Sequence, residues 1–248
     1  MESVVSLELY TAATPNGWKV TIMVEELREA GVDLGDVNVH LVDLAAGEQF
    51  SDGFTQVNPN QKIPALLHDG RAIMESCAIL QYLAETFPTS LLPDGDRRWS
   101  VLPWLYWQAA NLGPVFGNKL SYTRYMGDVS DLEKAHPLER FGKEAQRLLA
   151  VIDRALDGQD FVCDDTFSIA DIAIWPWVRA WKWAKIDITS RANVVAWVDR
   201  VRARPGVDRG IAYGVPEAEK DQFSDERKAR YQNSGASIAG NDRLKTDI

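Results

Sequence analysis

At the start of the chain Leu7 and Leu9 alternate with Ser6 and Glu8, the period of two that a half-buried strand shows, here over 6–10. Thr14-Pro15 then carries a helix-start signature, a capping hydroxyl ahead of proline at the first helical position. Val20, Ile22, Met23, Val24 and Leu27 continue it as an amphipathic helix, which Gly31 stops. Alternation returns over 37–44, with Val37, Val39 and Leu41 set against Asn38 and His40. Residues 45–60 are polar, with one short helical piece around Phe54. A third strand is predicted over 63–67, a hairpin turn at Asp69-Gly70, and a fourth, antiparallel strand over 71–74. Glu75-Ser76 opens a third helix with Ile79, Leu80, Tyr82, Leu83 and Phe87 as its apolar stripe.

The order β-α-β-α-β-β-α is that of an α/β thioredoxin-like domain, a mixed sheet with helices on both faces. Pro64 sits awkwardly at the start of a strand, because proline gives no donor to the ladder, and is best explained as a cis-proline that turns the chain into it. Residues 88–96 are turn-rich, so the first domain is placed at 1–88 and a linker at 89–98. Beyond Arg98 the strand signals vanish, and an all-α bundle is expected over 99–215. Its predicted helices cover 99–125, kinked near Gly113-Pro114, then 130–156, 170–183 and 193–203, the last stopped by Arg204-Pro205-Gly206. The remaining 216–248 are polar and charged, a tail read as draped on the surface or partly disordered.

Composition narrows the function classes. The 248 residues carry a formal net charge of -9, which repels a phosphate backbone, so no nucleic-acid partner is expected. No apolar run reaches the ~18–20 residues that span a bilayer. The first ten residues hold Glu2 and Glu8 and lack a basic n-region, so a cytoplasmic protein without a secretory signal is expected. Cys77 and Cys163 are far apart, and His40, His68 and His136 are scattered with no i, i+4 pair, so no metal site is expected.

Four short segments of the first domain carry candidate chemistry. Thr14-Pro15-Asn16-Gly17 lies where a thioredoxin places its CxxC, yet holds no cysteine; the helix N-terminus still offers free N–H groups and partial positive charge to a thiolate brought by another molecule. Asn58-Pro59-Asn60-Gln61-Lys62-Ile63-Pro64 sets the backbone of Ile63 beside Pro64, where an extended peptide can add as a strand. At Glu75-Ser76 the Ser76 N–H and hydroxyl suit a carboxylate and Glu75 an ammonium, together the end of an α-amino acid. Gln49, in the polar loop, can reach a second carboxylate. Taken singly, each segment also reads as an ordinary cap, strand start, capping pair or solvated loop. Taken together they describe a site for a short extended peptide with a zwitterionic end and a thiol at the first helix, which is the chemistry of glutathione. A free thiol has a pKa near ~8.5, and lowering it by ~2 units takes ~2.7 kcal/mol of thiolate stabilisation. A helix terminus supplies ~0.3–1 kcal/mol, so Thr14 Oγ1 and the backbone and side-chain amides of Asn16 are candidates for the rest.

These segments resemble the glutathione transferase superfamily, and residues 9–20 look closest to its Nu class. Residues 47–50, 58–65, 75–80, 104–108 and 167–177 match as well, and the likeness spans about 7–207. The resemblance implies a homodimer that binds glutathione, with Thr14 and Asn16 at the sulfur, Gln49 and Lys62 at the glycine carboxylate, Ile63 and Pro64 at the cysteinyl backbone, and Glu75 and Ser76 at the γ-glutamyl end. Arg140 matches a position that can reach ligand across the dimer. The tyrosine, serine or cysteine thiol activators of other classes are not evident; Tyr10, inside the first strand, ranks below Thr14 and Asn16. Ser168 and Asp171 match the family's helix-capping box and are assigned to folding. Most of the tryptophans read as core, with Phe116, Tyr122 and Trp177 as candidate lining of an acceptor pocket. Cys77 reads as a small buried residue, with a redox role as its alternative.

The activity implied by the Nu class is disulfide reduction by a bound glutathione thiolate. The alternatives are conjugation or ether cleavage of an aromatic electrophile by the same thiolate, and a non-catalytic glutathione-binding regulatory protein.

Overall fold

The computed structural model describes residues 6–127 and 129–215, together with 225 and 229, so nearly all of the tail 216–248 lies outside the described residues. Strand β1 (Ser6–Thr11) is central in a four-stranded sheet of order β2-β1-β3-β4. It runs parallel to β2 (Asp36–Leu41), with Leu7 opposite Val37 and Leu9 opposite Val39. On its other side it is antiparallel to β3 (Ala65–His68), which pairs with β4 (Arg71–Met74). Both turn residues between β3 and β4, Asp69 and Gly70, have positive φ, as a two-residue hairpin requires. Leu7 and Leu9 point into the core shared with α1 (Pro15–Glu29) and α3 (Ser76–Thr86). Tyr10, of opposite parity, meets Phe54 of α2 (Asp52–Val57) on the other face. This is the expected thioredoxin-like layout.

The second half is all helical. Helix α4 (Arg98–Trp107) continues through one π-wound turn, Gln108–Leu112, into α5 (Gly113–Arg124). The predicted kink near Gly113-Pro114 is thus prepared by an inserted residue in the turn before it. Helices α6 (Asp131–Ala155), α7 (Ile169–Arg179), α8 (Trp181–Ala184), α9 (Ala192–Arg202) and α10 (Pro205–Ala212) follow. Among the described residues no helix is long and apolar enough to cross a membrane.

Helix α7 is the hub: every residue from Ile169 to Val178 is buried, and it packs on α1, α3, α4 and α9. Its start is held by the Ser168/Asp171 capping box. The Asp171 carboxylate accepts from Val162 N (3.0 Å), Trp197 Nε1 (2.9 Å) and the backbone (3.1 Å) and hydroxyl (3.2 Å) of Ser168. Burial pushes its pKa up, while these donors favour the carboxylate.

Several boundaries differ from the sequence reading. The second strand ends at Leu41 rather than 44, and the third starts at Ala65, one residue after the proline. The helix predicted over 170–183 is two helices, broken at Ala180. Arg204-Pro205-Gly206 stops α9 but also starts α10, with Pro205 at the first helical position where its missing N–H costs nothing. Helix α10 lies against α1 so closely that a Cβ at Gly210 would sit 2.6 Å from Ile22 Cα.

Replacing Asp171 with alanine orphans the buried Trp197 and Val162 donors as well as the cap. A loss of about 3 kcal/mol is expected, several times an exposed cap's worth. Urea unfolding should show a lower midpoint at unchanged slope; a loss below ~1 kcal/mol would mean the carboxylate serves the cap alone.

Candidate active site

A cleft of about 640 Å³ opens between the sheet domain and the helices, within the ~300–1,000 Å³ range of ligand sites. Of the predicted site residues, Thr14, Asn16, Gln49, Lys62, Ile63, Glu75, Ser76 and Trp177 all line it. They come from four separated segments and α7, and the fold alone brings them together.

One wall is the head of α1. Thr14 caps the helix, its Oγ1 accepting from Gly17 N at 3.1 Å. That bond uses an oxygen lone pair and leaves the hydroxyl proton free to donate into the cleft. Gly17 is sterically required, since a Cβ there would lie 1.9 Å from Ala12 O. Next to it, Trp177 Nε1 donates to Asn16 Oδ1 at 3.0 Å, across the domain boundary. An indole N–H can only donate, so this bond settles which end of the amide is oxygen, and Asn16 Nδ2 is the end left as a donor. The Trp177 ring leans on Gly117 of α5, where a Cβ would be 3.3 Å from it.

The second wall is the loop before β3. The Ile63–Pro64 peptide bond is cis, as expected. Asn58 organises the loop: its buried Nδ2 donates to Lys62 O at 2.5 Å, its Oδ1 accepts from Asn60 N at 2.9 Å, and its carbonyl accepts from Gln61 N at 2.9 Å. The backbone N–H and C=O of Ile63 have no partner among the described residues. Pro64 is buried behind this wall. Gln49 closes the neighbouring corner from a short 3-10 turn, Glu48–Phe50.

The third wall is the head of α3. Glu75 precedes it with φ 70 and ψ 115, a backbone region that costs a non-glycine residue free energy and that clusters at ligand clamps. Glu75 is exposed, whereas Ser76 is buried and starts the helix, whose first N–H groups have no helical acceptor. Behind Ser76 lies a group that sequence reasoning passed over. Lys19, 2% exposed, donates from Nζ to Ser76 Oγ at 3.1 Å and to Gln108 Oε1 at 2.6 Å, with Cys77 Sγ at 3.9 Å. Burial lowers the Lys19 pKa and raises that of the Cys77 thiol. Cys77 is a packed thiol that donates to Gln108 Oε1 at 3.2 Å, without the thiolate character redox chemistry needs. Lys19 sits three residues after Asn16, on the inward face of a helix whose turn was already suspected, and only its burial distinguishes it from a solvated lysine.

The helical wall corrects part of the expected acceptor lining. Gly113, Pro114, Gly117, Asn118, Ser121 and Tyr125 face the cleft. Phe116 points the other way, 1% exposed in the core, and Tyr122 stacks on Phe141 of α6 at 6.1 Å. Packing in the core and against α6, respectively, keeps both side chains out of the cleft lining. Arg140 is exposed on α6, outside the cleft of its own chain. Among the described residues no group of three or more His, Cys, Asp or Glu could hold a metal ion.

A thioredoxin-like domain with a cysteine-free turn, a cis-proline loop and a helical partner domain defines a class, and comparison with known proteins bears it out. Residues 5–85 match the family model of the glutathione S-transferase N-terminal domain, and 135–200 that of its C-terminal domain. The disulfide-bond oxidoreductase YfcG of Escherichia coli is 35% identical over 228 residues, 89% of this chain and 98% of that protein. A glutathione transferase family member from Pseudomonas fluorescens, solved with two glutathione bound, superposes with a TM-score of 0.73 at 33% identity, covering 83% of this chain and 92% of its own. A glutathione transferase from Pseudomonas putida, solved with one glutathione disulfide per subunit, gives a TM-score of 0.72 at 34% identity, covering 83% and 90%. The chain belongs to the glutathione transferase family.

Trp177→Phe keeps the ring but removes the donor that orients Asn16. Losing ~1 kcal/mol of alignment predicts a roughly fivefold fall in glutathione-dependent turnover. Unchanged kinetics in a variant with native circular dichroism would show that the indole N–H does not set the amide.

Proposed function

We propose that this protein is a Nu-like glutathione transferase that reduces disulfides with bound glutathione. The observation that carries this is that Thr14 Oγ1 and Asn16 Oδ1, both lining the cleft at a cysteine-free helix N-terminus, are already engaged as acceptors, which leaves the Thr14 O–H and Asn16 Nδ2 as donors. A sulfur anion placed there meets two hydrogen-bond donors and the helix dipole, and each charge-assisted bond contributes ~1.5–3 kcal/mol. The protein itself has no thiol at that turn, so the nucleophile must arrive with the ligand. Ile63 pairs with the cysteinyl backbone of the tripeptide, Gln49 and Lys62 receive its glycine carboxylate, and Glu75 and Ser76 receive its γ-glutamyl end. The names and bound ligands of the similar proteins, a disulfide-bond oxidoreductase and a transferase holding glutathione disulfide, support the same reading.

The chemistry balances without metal or protein redox groups. A glutathione thiolate attacks one sulfur of the substrate disulfide; a mixed disulfide forms and the other half leaves as a thiolate that takes a proton. A second glutathione thiolate attacks the mixed disulfide at the glutathione sulfur, releasing the second half as thiol and forming glutathione disulfide. Two glutathione molecules are thereby oxidised as one substrate disulfide is reduced to two thiols. Use of reduced glutathione fits a cytoplasmic protein, and a division into 1–88 and 99–215 assigns three walls of the cleft to the first domain and the helical wall to the second.

A homodimer belongs to this reading. Trp99 and Tyr106, 69% and 57% exposed, lie seven residues apart on one face of α4. Tyr106 Oη donates to Gln81 Oε1 at 3.0 Å, and Arg98 pairs with Glu85, so this face continues onto α3. Large apolar side chains grouped with charges in this way fit a second copy of the chain. Arg140 is then assigned a role toward the partner's cleft. Trp99→Glu should convert the dimer to monomer by light scattering; a dimer that persists unchanged would place the interface elsewhere.

Steady-state rates with a small disulfide, compared with an aryl halide and an aryl ether, decide between reduction and attack on carbon. The disulfide is expected to turn over fastest. Asn16→Ala should slow it by roughly tenfold or more, ~1.4 kcal/mol of barrier. A disulfide rate at background would overturn the reductase reading, and rates at background for all three substrates, with glutathione still bound, would leave a regulatory binding protein.

A further inference from the structure

The cluster behind Ser76 holds the Lys19 ammonium, the Ser76 hydroxyl and the Gln108 amide nitrogen, three donor groups with no carboxylate among them. Lys19 Nζ is enclosed by Ser76, Cys77 and Gln108, and no carboxylate among the described residues lies within ion-pairing distance. Its nearest acidic neighbour, Glu75, is exposed and acts only through space. A buried ammonium without a counter-ion is costly, and the depressed pKa of Lys19 expresses that cost. Gln108 is 1% exposed, and its Oε1 receives both the lysine N–H at 2.6 Å and the Cys77 S–H at 3.2 Å. Two donors on one atom identify it as oxygen, so the other end is the amide nitrogen, and Gln108 Nε2 is a buried donor with no partner. It sits against Gly113, where a Cβ would lie 2.8 Å away, at the π-wound turn that offsets the helix here. An orphaned buried donor costs ~1–3 kcal/mol and a native fold keeps one for a reason. Finally, Ser76 Oγ accepts from Lys19, which leaves its own proton to donate outward.

Lys19, Ser76 and Gln108 all line the cleft, and the Ser76 hydroxyl sits at the N-terminus of the eleven-residue α3. A converging ammonium, hydroxyl and amide N–H call for one carboxylate. We propose that Lys19 and Gln108 are positioning residues for the α-carboxylate of the ligand's γ-glutamyl end: Gln108 clamps the lysine, and the lysine both turns the Ser76 hydroxyl toward that carboxylate and supplies its countercharge. This rests on glutathione being the occupant of the cleft. Among the described residues Lys19 has no carboxylate partner, and the ligand's carboxylate completes the ion pair.

The test is calorimetric titration of the full chain with glutathione and with its analogue lacking that carboxylate, γ-aminobutyryl-cysteinylglycine. The native protein is expected to prefer glutathione by about tenfold or more, and Lys19→Met to bind the two within about twofold. A merely structural lysine would instead weaken both ligands equally and leave the preference intact, which would overturn the proposal. Gln108→Glu is a near-isosteric second variant that gives the ammonium an internal carboxylate. It should lower glutathione affinity by about tenfold or more and leave the analogue's affinity nearly unchanged. Glutathione binding to Gln108→Glu at native affinity would overturn the proposal even where Lys19→Met does not fold. A native protein that binds neither ligand would overturn the reading of the cleft itself, a result distinct from native binding with an unaltered preference in the variants.

Discussion

The hydrogen bond from Trp177 to Asn16 is the interaction on which the site depends. It joins the head of α1, in the sheet domain, to the most buried helix of the partner domain. It also orients the amide: with Oδ1 committed to an obligate donor, the remaining Nδ2 is a donor presented beside the Thr14 hydroxyl. A lone helix terminus stabilises an anion only modestly in water. In the proposed function, the Thr14 hydroxyl and Asn16 Nδ2 add two charge-assisted bonds, which brings the total into the range that changes a thiol's ionisation. Under the proposed function, the cysteine that other thioredoxin-like turns carry is replaced by an environment for a cysteine that comes with the ligand.

That environment needs a stiff frame, and the molecule invests its buried polar groups there. Asp171 anchors the start of α7 through four donors, so Trp177 is presented from a fixed helix. Glycines 206 and 210 let α10 press against α1, where Glu25 and Glu26 pair with Arg209 and Arg204. Gly17 lets the start of α1 approach the end of β1. In each case a residue without a side chain, or one whose side chain is fully satisfied, helps to fix α1, at its head or further along its length. The Lys19 cluster behaves in the opposite way: its polar groups are buried but incompletely satisfied, a pattern that belongs to a binding site more than to a frame.

Much of this was legible from local rules. A cap, a proline before a strand, an Asp-Gly hairpin and a Ser-x-x-Asp box act over four residues or fewer, so their chemistry is written in contiguous sequence, and all four are present as read. The order of strands and helices followed from the periods of Leu7, Leu9, Val37 and Val39 and of the α1 and α3 stripes. From that order and the four segments, the sequence determined the thioredoxin-like domain, the helical partner and the presence of eight expected residues around one cleft.

Only the tertiary structure decided which faces meet. The π-wound turn Gln108–Leu112 shifts the phase of α5 relative to α4, so no stripe counted from Trp99 could tell that Gly117 and Ser121 face the cleft while Phe116 enters the core. Pro205 could end one helix or begin another, and the room that Gly206 and Gly210 leave against α1 settles it. The partners of Asn16 and Lys19 lie 161 and 89 positions away along the chain. Local propensity and periodicity act over a few residues, whereas a contact at that separation exists only once the core has placed two helices side by side. A buried lysine and a solvated one therefore look alike in sequence, and packing alone tells them apart.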